Sequence, residues 1–265
     1  MFRQTKEPGL WTAGPDDGHP LVLVHGIRLS AHMWRPVATR LTATSGPYRI
    51  TACDLPGHGA LDDRPFTLDG AVEQVAAAVD EATRATGRRP VVAGSSLGGV
   101  TTLAYGASHR QGAAGLFVHG ATLRTDGPLL LPHRAAAALQ RRLGPRLADR
   151  LDDRALRRQL PEESYLAATA GGLSRHGFDE AIAAIARADT LSLTARVRIP
   201  VILANGLDDP LFRIQERRFL DGLRDAGTPA RLVHVPGPHL LPLTDPATFA
   251  RVLDRAHTEL AAMAG

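Results

Sequence analysis

Three observations predict an α/β fold in which a mostly parallel sheet carries helices on both faces and a helical insertion interrupts the second half. Short apolar runs of strand length alternate along the chain with longer stretches of helical periodicity. The strand runs are apolar at nearly every position, as expected of strands buried on both faces. The alternation breaks over about residues 122–189, where the periodicity is helical and no strand pattern occurs.

Residues 1–20 read as a hairpin pair feeding the sheet, with Pro8-Gly9 and Asp16-Asp17-Gly18 as turns. The run Leu21-Val22-Leu23-Val24 predicts a strand over 21–25, followed by a helix over about 31–42, a strand over 48–53 and a helix over about 68–85. Pro90-Val91-Val92-Ala93 opens a strand over 90–94, ahead of a helix over 97–109 and a strand over 115–119. After the interruption come a strand over 200–205, a helix over 211–225, a strand over 230–235 and a last helix over 246–262. Asp245-Pro246 gives that helix an N-cap and a first-turn proline. The expected organisation is a core formed by 1–121 and 190–265, with 122–189 as a helical cap over the carboxyl ends of the strands.

Composition narrows the function classes. With 265 residues the chain can bury a large core. Its 44% hydrophobic content includes no run near 18 apolar residues, so no membrane span is expected. The start Met1-Phe2-Arg3-Gln4-Thr5-Lys6 lacks the apolar segment of a signal peptide, which points to a cytoplasmic protein. Cys53 is the sole cysteine, leaving no internal disulfide and no cysteine metal cluster; in the strand before Asp54 it reads as a small buried hydrophobe. The formal charge of +4 comes from arginines interspersed with acids and without an aromatic platform, so no nucleic-acid partner is expected. Lys6 is the sole lysine beside 30 arginines, and with abundant Ala, Gly and Pro this suggests a high-GC bacterial genome.

The chemistry centres on Gly94-Ser95-Ser96-Leu97-Gly98, between a strand pattern and a helix pattern. A sharp strand-to-helix turn would hold Ser96 outward as a nucleophile, with Gly94 and Gly98 where any side chain would meet backbone and Gly99 letting the helix approach the sheet. A serine hydroxyl needs a base, a group to orient the base and amide donors for the developing oxyanion. His239 follows the strand over 230–235 and is the candidate base; Asp209 follows the strand over 200–205 and is the candidate acid. The N–H groups of Leu97 and of Ile27, after His25-Gly26, are the candidate oxyanion donors. Ser95 is one residue out of register, His234 lies within a strand and His257 within a helix, so each is a poorer candidate.

In these features the chain resembles the cofactor-free, single-chain branch of the α/β-hydrolase superfamily that carries a helical cap. The resemblance covers almost the whole chain. Its marks are His25-Gly26-Ile27, Asp54-Leu55-Pro56-Gly57-His58-Gly59, the turn at Ser96, Gly206-Leu207-Asp208-Asp209, and His239 ahead of Asp245-Pro246. The chain departs from the pattern at Gly237-Pro238-His239, where a proline stands between the usual glycine and histidine. The resemblance favours Asp209 over Asp208 as the acid, with Asp126, after the preceding core strand, as the alternative position. It also makes His25 and His58 turn-stabilising residues.

What the resemblance implies is a serine hydrolase for a carboxylic ester, thioester or lactone, working without metal or organic cofactor. Related outcomes are a natural-product thioesterase, a cyclase or lyase using the serine–histidine pair for acid–base chemistry, and a non-catalytic binding protein on the same fold. Haloalkane and epoxide hydrolases are disfavoured, because they need a carboxylate where Ser96 stands. Met33, Trp34 and His119 are candidate pocket residues. Leu129, Leu130, Leu131, Leu139, Leu143, Leu147, Tyr165 and Leu166 in the insertion suggest a mainly apolar small-molecule substrate. Arg141, Arg142, Arg146, Arg150, Arg154, Arg157 and Arg158 alternate with Asp149, Asp152 and Asp153. They read as a solvated helix face, with docking of an acidic carrier protein or an anionic substrate as the alternative.

Overall fold

A computed structural model of the chain describes residues 2–41, 46–124, 131, 135, 138, 142, 145–174 and 176–263. Among them are eight strands: β1 (Arg3–Gln4), β2 (Leu10–Ala13), β3 (His19–Val24), β4 (Tyr48–Cys53), β5 (Val91–Ser95), β6 (Gly115–His119), β7 (Val201–Gly206) and β8 (Ala230–Val235). They form one sheet in the order β1-β2-β4-β3-β5-β6-β7-β8. β1 and β2 pair antiparallel and β2 pairs antiparallel with β4, while every pairing from β4 through β8 is parallel. The expected hairpin therefore exists, but it joins the sheet along β4 rather than along β3, its neighbour in sequence.

Helices occupy both faces, as the apolar strand runs require. Leu21, Val22, Leu23 and Val24 are fully buried, which only a sheet covered on both sides permits. One face packs α2 (Leu68–Thr86) and α3 (Leu97–Ser108) against alternate strand residues such as Val22, Val24 and Val92. The other packs α1 (Arg35–Leu41) and the C-terminal helix (Pro246–Met263) against Leu21, Leu23 and Ile50. Each fully buried aliphatic side chain contributes about 1.5–3 kcal/mol. Thr67 caps α2 by accepting from Gly70 N–H at 3.0 Å, and Gly87, at φ 68°, closes it in the left-handed conformation that glycine adopts freely.

Between β6 and β7 the described residues form helices only: α4 (Pro145–Gln159), α5 (Glu162–Thr169), α6 (His176–Arg187) and the short α7 (Thr190–Thr194). Two expected helices are subdivided. The stretch expected to be helical over 31–42 begins as a 3₁₀ turn, Ala31–Trp34, capped by Ser30. The helix expected over 211–225 is two pieces, α8 (Pro210–Arg213) and α9 (Glu216–Asp225), broken at Ile214-Gln215. A further short helix, α10 (Leu241–Thr244), precedes the C-terminal helix, α11 (Pro246–Met263). No helix of the described residues is long and apolar enough to cross a membrane.

Candidate active site

The turn from β5 into α3 is strained at Ser96, whose φ of 57° and ψ of −117° place a residue with a side chain in left-handed space. Neighbouring backbone holds it there. A Cβ on Gly94 would lie 2.1 Å from the Gly98 carbonyl oxygen, and one on Gly98 would lie 2.2 Å from the Val24 oxygen. A Cβ on Gly99 would approach that of Ala121 to 2.6 Å, so this glycine lets α3 close onto the segment after β6. Ser96 N–H donates to the His119 carbonyl at 2.8 Å, tying the turn to the next strand.

His239 and Asp209, 30 residues apart in sequence, meet through His239 Nδ1 and Asp209 Oδ2 at 2.7 Å. Asp209 is nearly fully buried, so its carboxylate faces the imidazole in a low-dielectric setting. The proline that departs from the family pattern is absorbed by Gly237, at φ 128°, and the loop then packs on the acid loop: Asp208 N–H donates to the Gly237 carbonyl at 3.1 Å. Asp208 itself is exposed and Asp126 lies outside the described residues. Among the described residues no hydrogen bond joins Ser96 to His239; both line one cavity of about 170 Å³. Hydrogen bonds of this kind commonly tighten only when substrate binds.

Gly26, Ile27 and Leu97 line the same cavity. Neither Ile27 N–H nor Leu97 N–H has an acceptor among the described residues, so both donors are available to a ligand. The loop carrying Ile27 is held from below by His25, which lies between the Gly26 carbonyl, 2.7 Å from Nδ1, and Leu55 N–H, which donates to Nε2 at 2.9 Å. That pairing fixes the neutral ring with its proton on Nδ1, and complete burial pushes the His25 pKa down to about 4. Burial likewise takes His58 to about 3, so both histidines serve the turns. Asp54 braces the region further by accepting from Ala31 N–H at 2.7 Å and Trp11 Nε1 at 2.9 Å.

The rest of the cavity wall is almost wholly apolar, formed among others by Leu29, Met33, Val100, Leu123 and, from α6, Ile182 and Ile185. Two expected wall residues are displaced from it. Trp34 is fully buried against Phe249, with ring centroids 5.8 Å apart, because the 3₁₀ turn directs it into the core beside the C-terminal helix. His119 lies fully buried behind the wall, with Nδ1 3.0 Å from Ser95 Oγ. Ser95 also borders the cavity, but its hydroxyl is engaged by His119. Sequence reading also missed Phe212, whose ring lines the cavity, since a break in a helix pattern gives no signal of an inward-facing aromatic.

Of the insertion residues expected to form an apolar roof, Tyr165 is buried but Leu131, Leu147 and Leu166 are about half exposed, while Leu129, Leu130, Leu139 and Leu143 lie outside the described residues. Ile182 and Ile185 supply the apolar wall in their place. On α4, Arg157 pairs with Asp153 at 3.3 Å and Asp152 pairs with Arg28 at 2.5 Å. Arg150, Arg154 and Arg158 are exposed; Arg141 lies outside the described residues. Among the described residues, no three His, Cys, Asp or Glu side chains group as metal ligands would.

Comparison with known proteins agrees with this architecture. Residues 21–252 match the profile described as "Alpha/beta hydrolase family". The chain is 30% identical over 209 residues to a pimeloyl-[acyl-carrier protein] methyl ester esterase of Neisseria meningitidis, covering 74% of this chain and 78% of that one. It is 29% identical, over 95% of its length and 91% of the other's, to a protein of Mycobacterium phage D29 provisionally named a non-heme haloperoxidase. Among solved structures, a thermophilic esterase from Thermogutta terrifontis superposes with a TM-score of 0.72 at 20% identity, covering 95% of this chain and 94% of that one.

Proposed function

The chain belongs to the alpha/beta hydrolase family and is an enzyme of hydrolase type, and from that premise we propose that it cleaves a carboxylic ester, thioester or lactone with a mainly apolar acyl group through an acyl-enzyme on Ser96. The observation that carries this reading is the 2.7 Å Asp209–His239 pair at the edge of a cavity that also holds Ser96 and the unpaired N–H groups of Ile27 and Leu97.

In the proposed reaction His239 Nε2 takes the Ser96 proton as Oγ attacks the carbonyl carbon. The oxygen that gains charge sits between the N–H groups of Ile27 and Leu97, each worth about 3–4 kcal/mol to the transition state. His239 then passes its proton to the departing alcohol or thiol. Water, deprotonated by the same ring, attacks the acyl carbon and frees Ser96. Asp209 accepts from Nδ1–H throughout, which keeps Nε2 free to act as the base and stabilises the imidazolium. Segment 122–189 acts as the cap in this proposal, with Ile182 and Ile185 closing the acyl site.

A panel of p-nitrophenyl esters, lactones and acyl thioesters tests the reading. Hydrolysis that disappears in Ser96→Ala is expected; turnover that survives the substitution refutes it.

One observation favours a carrier-borne substrate as a second reading. Arg150, Arg154 and Arg158 stand exposed on α4 with no acidic partner among the described residues, a face suited to an acidic carrier protein. The same acyl group should then be cleaved faster on its carrier than on pantetheine, with the gap closing as salt rises.

A further inference from the structure

Asp209 fixes one edge of the His239 ring, and further aromatic rings stack roughly parallel to it. Phe212 stacks nearly parallel to it, with centroids 4.4 Å apart and an angle of 15° between the planes. His119 is the second near-parallel ring, at 6.3 Å and 24°. A Cβ on Gly120 would come within 2.8 Å of His239 Cε1, so the backbone after β6 also abuts the imidazole.

The Phe212 backbone is held by buried polar groups other than Ser96, His239 and Asp209. Its carbonyl accepts from Thr122 Oγ1 at 2.5 Å and from Asn205 Nδ2 at 3.4 Å. Asn205 Nδ2 also reaches Thr122 Oγ1 at 2.8 Å and Glu216 Oε2 at 2.9 Å, and Glu216 Oε1 lies 2.8 Å from His234 Nε2. Thr122 and Asn205 are fully buried and Glu216 nearly so. Burying such groups is costly unless they are paired, and here their pairing converges on the backbone of one short helix. That helix, α8, is a single turn between Asp209 and the break at Ile214, and these bonds anchor its backbone at Phe212.

We propose that Phe212 is a positioning residue that stabilises the protonated form of His239 through the face of its ring. The inference rests on the reading of His239 as the base for Ser96. The face of an aromatic ring is negative and attracts a cation within about 6 Å of its centroid. In the reaction His239 becomes a cation as it takes the serine proton, so the attraction strengthens toward the transition state and raises kcat. The other polar and titratable groups around the ring are Asp209 at Nδ1, His119, and Ser96 on the shared cavity. Burial holds His119 neutral by lowering its pKa to about 3. Leu240, Pro242 and Leu243, from the segment that follows, are apolar, and Arg213 on α8 donates to the Leu207 carbonyl at 3.2 Å.

The test compares wild type with Phe212→Leu, Phe212→Met and Phe212→Tyr. Two readouts are used: the midpoint of the His239 ring protons titrated by NMR, identified by their loss in His239→Gln, and the pH profile of kcat/KM on a neutral ester. The leucine and methionine variants keep apolar cover but lose the ring. Both should move the midpoint and the acid limb to lower pH by roughly half a unit to one unit, equivalent to a three- to tenfold weaker hold on the proton. The plateau should fall by a similar factor, carried by kcat, and tyrosine should restore all three quantities. An unmoved midpoint overturns the proposal. So does a midpoint moved to higher pH, because water reaching the ring would then outweigh the lost aromatic face. Ser96→Ala separates the two claims: full turnover in that variant refutes the serine-hydrolase reading, whereas a Ser96-dependent wild type with an unmoved midpoint refutes the stacking alone.

Discussion

Cavity size sets a quantitative expectation for acyl specificity. The cavity of about 170 Å³ beside Ser96 is bounded by an almost wholly apolar wall, so an acyl chain should gain from each added methylene until the space is filled. Each buried methylene is worth up to about 0.8 kcal/mol, or about fourfold in kcat/KM. From acetate to hexanoate the rise would reach about 3 kcal/mol, a ceiling of about 200-fold, and it should stop at the length that fills the cavity. A series of p-nitrophenyl esters from two to twelve carbons measures the profile. Ile182→Ala opens the wall contributed by α6 and should move the break outward by two or three carbons. Ile182 is also buried in the core, so the substitution costs about 2–4 kcal/mol of stability, and the melting temperature is measured alongside. A flat profile with a preference for anionic esters, or a break that Ile182→Ala leaves unmoved, refutes the assignment of this cavity as the acyl site.

Three further outcomes are expected. Asp209→Asn should fold normally yet lower kcat by about 10⁴-fold, because an amide facing Nδ1 favours the tautomer that cannot accept the serine proton, whereas Asp208→Asn should have little effect; steady-state kinetics on both variants decides. Gly98→Ala places a Cβ 2.2 Å from the Val24 oxygen, so both activity and melting temperature should drop. Stability should fall on acidification through a sign opposite to the usual histidine ion pair. His25, His58 and His119 have folded pKa values of about 4, 3 and 3, below the unfolded value of 6.5, so the unfolded chain binds more protons between these limits. Their contribution is complete above pH 6.5 and is lost as the pH falls toward 4, by about 2 kcal/mol per histidine at pH 5. Thermal unfolding from pH 4 to 8 measures this, and a flat melting temperature across that window contradicts it.

The parallel strands and the turn at Ser96 were legible in the sequence because local physics dictates both. Unbroken apolar runs such as Leu21-Val22-Leu23-Val24 suit strands covered on both faces, and glycines at 94 and 98 suit a turn with no room for Cβ. Asp209 and His239 were found as residues following strands, and their meeting depends on β7 and β8 being neighbours in the sheet. What was not legible depends on tertiary direction rather than on residue type. Trp34 and His119 were expected at the pocket because they follow the right elements, yet a 3₁₀ turn sends one into the core and the pleat of β6 sends the other behind the wall. Likewise the tether on Phe212 joins Thr122, Asn205 and Glu216 from three separate elements, and no spacing in sequence reveals such a convergence.

Stoichiometric labelling with a fluorophosphonate, followed by peptide mapping, measures the nucleophile directly. The label should appear on Ser96 alone at one equivalent per chain, and its rate should fall at least about a thousandfold in His239→Ala, because the hydroxyl depends on that base. Label on Ser95, or labelling of Ser96 at an unchanged rate without His239, would contradict the serine–histidine–aspartate site at the centre of this account.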